Sequence, residues 1–134
     1  MEYTKLGNSD LTVSRICMGC MGFGDPHTGQ HSWTIDEEHS REVLQQALEL
    51  GINFFDTAIG YQNGTSEAYL GRALRDFAKR EDVVVATKFP GRSPEEIAAG
   101  VTGQQHVENF LDRSLQHLGM DYVDLYIYHM WDYT

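Results

Sequence analysis

Residues 54–61 read FFDTAIGY. Phe54 and Phe55 suit a buried strand, and Asp56 does not unless a positive charge meets it there. A tyrosine, Tyr61, follows just beyond. The segments around this stretch alternate between two periods. Behind it, TIDEEHSREVLQQALELG (residues 34–51) reads as a helix, with Thr34 and Glu37 in capping-box spacing, a face of Val43, Leu44, Ala47 and Leu48, and Gly51 at its end. Ahead of it, SEAYLGRALRDFAKR reads as a second helix capped by Ser66. DVVVATK, apolar almost throughout, has the character of a parallel strand covered on both faces. QQHVENFLDRSLQHLG is a third helix with a stripe through Val107, Phe110, Leu111, Leu115 and Leu118, and DYVDLYIYH is a further strand. Nearer the start, YTKLGNSDLTV reads as a hairpin turning at Gly7-Asn8 or Ser9-Asp10, and LTVSRICMG as a strand ending near Gly19.

Strands alternating with helices at this spacing define βαβ units and a parallel sheet. Chemistry in such sheets collects at the C-terminal ends of the strands. The polar residues that end successive strands are Asp56, Lys88 and His129, with Tyr61 in the loop after the first of these. They are spaced by about one βα unit each, so all four converge on one rim. A lysine on the neighbouring strand pairs with the aspartate, and a nearby positive charge favours the phenolate form of a tyrosine. An imidazole beside them polarises a carbonyl. These parts suit carbonyl reduction, in which a proton must reach a developing alkoxide while hydride comes from a nicotinamide.

Composition narrows the alternatives. The chain has 134 residues, 20 acidic against 10 basic, and a formal net charge of −10. That balance argues against nucleic acid or an anionic membrane surface as the main partner. No apolar run is long enough to span a bilayer, and the first residues carry no secretory apolar core, so the expected compartment is the cytoplasm. Cys17 and Cys20, followed by His27 and His31, imitate a zinc pattern. The gap between the pairs is too short, and Cys17 is expected inside an apolar strand as an ordinary buried thiol. GCMGFG is glycine-rich but lacks the order of a dinucleotide fingerprint. The following loop, GDPHTGQHSW, either shapes a substrate pocket through Trp33 and its histidines or is a mobile surface loop.

The motifs together resemble the aldo-keto reductases. GINFFDTAIGY is similar to the family signature around its catalytic aspartate and tyrosine, and TSEAYLGRAL to the helix that follows. VVVATK resembles the strand carrying the catalytic lysine, and MDYVDLYIYHMWD the one carrying the histidine. KLGNSDLTVSRICMGCMGFG resembles the N-terminal hairpin and first barrel strand, and the likeness is greatest to the bacterial aryl-alcohol dehydrogenase-like branch. The resemblance implies an α/β fold: parallel (β/α) units forming the N-terminal half of a TIM (β/α)8 barrel, preceded by a short β-hairpin. It implies Asp56, Tyr61, Lys88 and His129 as the catalytic set, Gly19, Cys20 and Met21 together with Asp56 near the cofactor, NADPH as that cofactor, a small carbonyl substrate, and no metal.

A complete barrel takes about 250 residues. Residues 1–134 are therefore expected to form a single partial domain, with the C-terminal half of the barrel, and most of the family's cofactor contacts, outside this sequence. Half a barrel leaves unpaired strand edges and an apolar inner face, so self-association is expected. The non-catalytic alternatives are a half-barrel remnant without turnover or a regulatory binding subunit.

Overall fold

The structure is a computed structural model that describes residues 1–131. Its element order is β1 (Tyr3–Lys5), β2 (Thr12–Ser14), β3 (Met18–Gly19), α1 (Glu37–Glu49), β4 (Phe54–Asp56), α2 (Thr65–Phe77), β5 (Val84–Phe89), α3 (Pro94–Ala98), α4 (Gly103–Leu118) and β6 (Leu125–Tyr128). β1 and β2 form an antiparallel hairpin. The remaining strands make one parallel sheet in the order β3-β4-β5-β6. This is an α/β fold with successive strands adjacent, as in one half of a (β/α)8 barrel.

The register sorts the side chains. Phe55 lies opposite Met18 and Val85, and Thr87 opposite Tyr126. Phe55 and Val85 are fully buried and form a core with Leu44 and Ala47 of α1, Leu70, Ala73 and Leu74 of α2, and Leu118 of α4. Because a strand has a period of two, the alternate set, Asp56, Ala86 and Lys88 with their partners Gly19, Leu125 and Ile127, occupies the other, barrel-lumen face. The hairpin is tied to the sheet by Asn53, whose Oδ1 accepts from the Ser14 N–H (2.7 Å) and whose Nδ2 donates to the Thr12 carbonyl (3.1 Å).

Several local expectations need correction. The stretch from Leu11 to Gly19 is two short strands, not one. Ser14 Oγ donates to the Ile16 carbonyl at 2.6 Å, and this local bond competes with the ladder and bends the chain. Cys17 therefore falls between strands and is exposed, while Cys20 is the buried thiol. α1 is capped by Asp36, whose side chain accepts from the His39 N–H; Thr34 is committed elsewhere, donating to the Gly24 carbonyl at 3.0 Å. Val43, expected on the buried face of α1, is exposed. Ser66 is inside α2, not at its cap. Its hydroxyl donates to the Cys20 carbonyl (2.7 Å) and meets Thr57 Oγ1 (3.0 Å), fastening α2 to the ends of β3 and β4. The residue that starts α2 is Gly64, at φ 85°, where the His117 ring leaves no room for a Cβ. α3 was not anticipated, although Ser93-Pro94-Glu95-Glu96 carries the sequence pattern of a capping box with proline at N1, and the box is formed.

The stripe of α4 is only partly covered. Leu118 is buried, whereas Val107, Phe110, Leu111 and Leu115 are half-exposed, as is every residue of β6. That is the pattern of an edge strand and its flanking helix at the open side of a sheet.

Candidate active site

The end of β5 carries Lys88, which is buried on the lumen face next to β4. Its ammonium donates to three acceptors: Asp56 Oδ2 at 2.8 Å, the Thr57 carbonyl at 2.8 Å and the Tyr61 hydroxyl oxygen at 3.3 Å. Every ammonium proton thus has a partner, which is what a buried cation requires. The phenol oxygen of Tyr61 accepts from Lys88, so its own proton is left for another acceptor. The ring of Tyr61 meets that of His129 edge-on, with centroids 5.8 Å apart. The four residues read from the strand ends are therefore brought together.

His129 follows the last residue of β6, with its N–H donating to the Phe89 carbonyl at 2.9 Å. Partial burial, and then the Lys88 ammonium, hold its imidazole below the ordinary pKa of 6.5, while Asp56 opposes them. The ring is neutral at pH 7 and offers an N–H rather than a second full charge. NMR titration of the His129 ring should show a midpoint below 6.5. Lys88→Met should move it upward, because a repulsive charge is removed; an unchanged midpoint would show that Lys88 does not act on this ring.

Met21, His31, Tyr61, Lys88, Arg113, His117 and His129 line one open groove of about 770 Å³. Its described lining holds two cationic and three imidazole side chains, of which Lys88 is paired with Asp56 and His117 with Glu67. Of the Gly19-Cys20-Met21 segment, Cys20 is wholly buried with its thiol pKa pushed up by burial and by Asp56, and its N–H donates to the Asp56 carbonyl (2.8 Å). Only Met21 presents a side chain to the groove, so Gly19 and Cys20 face it with backbone at most. Among the described residues no cluster of three or more metal-ligating side chains occurs.

Three features were not read from the sequence. Glu67 is fully buried, accepting from Thr87 Oγ1 (2.6 Å) and meeting His117 Nδ1 (2.8 Å). Its place with Leu70 and Leu74 on the apolar face of α2 is the signal that marks it out. Among the described residues the Tyr126 hydroxyl is buried without a hydrogen-bond partner, and burial and then Glu67 raise its pKa. Finally, Gln62, Asn63 and Gly64 are three consecutive left-handed residues (φ 49°, 53° and 85°) directly after Tyr61. For the two that are not glycine this conformation costs about 1–2 kcal/mol each.

The aldo/keto reductase family model matches residues 15–134. The chain belongs to that family. It is 33% identical to the versiconal hemiacetal acetate reductase of Aspergillus parasiticus, across 98% of this chain and 43% of that protein. It is 37% identical to a probable voltage-gated potassium channel subunit beta of rice, Oryza sativa, across all of this chain and 39% of that protein. Among solved structures it superposes on an aldo-keto reductase of Bacillus halodurans in its holo form with a TM-score of 0.74 and 32% identity, over 95% of this chain and 40% of the other. It also superposes on an aldo-keto reductase of Klebsiella pneumoniae in complex with NADPH, with a TM-score of 0.65 and 25% identity over 88% and 36% of the two chains. The chain thus spans about two-fifths of the length of the curated relatives it matches.

Proposed function

We propose that this chain is the proton-transfer half of an NADPH-dependent reductase of aldehydes or ketones. The observation that carries the reading is the Lys88 ammonium, which holds Asp56 and the Tyr61 oxygen at once. The carbonyl oxygen sits between Tyr61 and His129. Neutral His129 donates to it and polarises the carbon. As negative charge develops on that oxygen, Tyr61 gives up its proton, and Lys88 stabilises the charge left on the phenol. Asp56 keeps the ammonium in place and in charge balance. The reduced nicotinamide, when bound, supplies the hydride that reaches the carbonyl carbon. Met21, with the backbone of Gly19 and Cys20 and the side of Asp56, would border it, and Arg113 on the groove wall would offer a cation to its phosphates.

The similarity to a potassium channel subunit favours a second reading, in which the same site serves a non-catalytic regulatory or remnant protein. The two part on turnover. A full-length protein carrying this segment should oxidise NADPH in the presence of an aromatic aldehyde, and Tyr61→Phe should abolish it; turnover retained in that variant would remove the assigned proton donor. Binding of NADPH without turnover, seen by quenching of Trp33 and Trp131, would favour the regulatory reading.

The short β3 and the half-exposed β6 border the sheet, and Met130 and Trp131 beyond β6 are each 66% exposed. These edges support the reading that the 134-residue chain self-associates through the open side of its sheet. Sedimentation at micromolar concentration should give more than the 15.2 kDa of one chain; a clean monomer would rule this out. The acidic balance speaks against nucleic acid as a partner, and none of the described helices is long and apolar enough to cross a membrane. A cytoplasmic setting fits the proposed cofactor.

A further inference from the structure

Residues 24–33 connect β3 to α1 with almost no regular structure, an isolated bridge between Phe23 and Ile35 closing their base. One side chain organises the loop. Gln62 is 1% exposed. Its Nε2 donates to the carbonyls of Asp25 (2.8 Å), Thr28 and His31 (2.7 Å), sharing two protons among three acceptors. Its Oε1 accepts from the His31 N–H at 2.9 Å. The orientation of the amide is settled by these partners, because the opposite one would set an oxygen against three carbonyls. Thr65 completes the seam, its hydroxyl donating to the Gln62 carbonyl (2.7 Å) and accepting from the Asp25 N–H (2.9 Å). The loop is built to match: Gly29, at φ 72°, and Gly24, at φ 145°, lie so close to Gln62 that neither has space for a Cβ.

The backbone of Gln62 is left-handed, where glycine is intrinsically the better residue. A glutamine there is explained by its side chain. That side chain joins two things: the loop whose His31 lines the groove, backed by Trp33 at 4.8 Å, and the turn that starts with Tyr61. We infer that Gln62 is a positioning residue, which fixes the 24–33 loop as a rigid wall of the groove and, through the turn it shares with Tyr61, holds the Tyr61 hydroxyl against Lys88. This rests on the reading of Tyr61 as proton donor, but its test does not depend on turnover.

The test uses the 134-residue chain and two variants. Gln62→Gly keeps the left-handed backbone without strain and removes the clamp. Gln62→Glu keeps the shape but puts a carboxylate, unable to donate, against the three carbonyls. In Gln62→Gly, which removes the acceptor of the His31 N–H, hydrogen exchange at that amide should quicken by about 10- to 100-fold while the Val85 amide in β5 keeps its rate. The NMR signals of the Tyr61 and His129 rings, which meet edge-on, should shift in both variants. The inference is overturned if His31 stays protected in Gln62→Gly, if the loop loosens while both ring signals stay in place, or if Val85 quickens equally, which would make Gln62 a contributor to global stability only. Turnover surviving Tyr61→Phe in a full-length protein would instead sink the proton-donor reading and leave the clamp standing.

Discussion

Assayed alone with excess NADPH and a reactive aromatic aldehyde, the 134-residue chain should show no steady-state carbonyl reduction. The reason is differential. In the proposed mechanism Asp56, Tyr61, Lys88 and His129 would supply proton transfer and electrostatic stabilisation, and the structure brings their side chains together. Hydride transfer also requires the nicotinamide to be held within about 3.5 Å of the carbonyl carbon, and such positioning is worth about 7–11 kcal/mol of the barrier. The groove lined by Met21, Lys88 and His129 is open, and this chain covers about two-fifths of the family members it matches. Pairing two copies would close the sheet but duplicate the same half. Enzyme-dependent NADPH oxidation that disappears in Tyr61→Phe would overturn this expectation, and would show that the groove positions a dinucleotide unaided.

In a full-length protein carrying this segment, Lys88→Met should lower turnover by about 10²- to 10⁴-fold, the range for loss of effective general acid catalysis. The variant should still fold. Which partner of the ion pair is more deeply buried decides this. The Lys88 side chain is 10% exposed and that of Asp56 32%. Methionine fills the buried path with an apolar chain, and the orphaned carboxylate keeps access to water. Asp56→Ala reverses the situation, leaving a buried ammonium with only the Thr57 carbonyl and the Tyr61 hydroxyl. That variant should lose about 3 kcal/mol, several times more than Lys88→Met. Urea denaturation of both in the 134-residue chain checks the asymmetry. Full turnover in Lys88→Met would refute the assignment of Lys88.

Much of this was open to reading because it is local or periodic. The apolar run at Val83–Ala86 marks a strand covered on both faces, and the alternation of strands with amphipathic helices marks a parallel sheet. Once the strands are placed, Asp56, Lys88 and His129 fall at their ends, and the (β/α) topology itself brings those ends to one rim. The misplaced caps at Thr34 and Ser66 have a common cause. Both residue types suit an N-cap, but each hydroxyl is taken by a distant partner, the Gly24 carbonyl and the Cys20 carbonyl. Capping preference is a local quantity, and a long-range bond overrides it. α3 is different: its Ser93–Glu96 capping box and Pro94 are local, so the sequence alone carries the signal for this helix.

The sequence by itself determined the sheet, its order of units and the set of polar residues at its rim, because periodicity and connection length are properties of the chain alone. Only the tertiary structure decided which of those residues touch, how deeply each lies and what else joins them. Gln62 gives no sign in the sequence that it spans four backbone groups of a loop some thirty residues earlier. Nothing local says that Glu67 is paired with His117, fifty positions away. Such contacts depend on how helices cross and loops fold back over the sheet. Burial then turns a side chain that would be solvated into one that must find its partner.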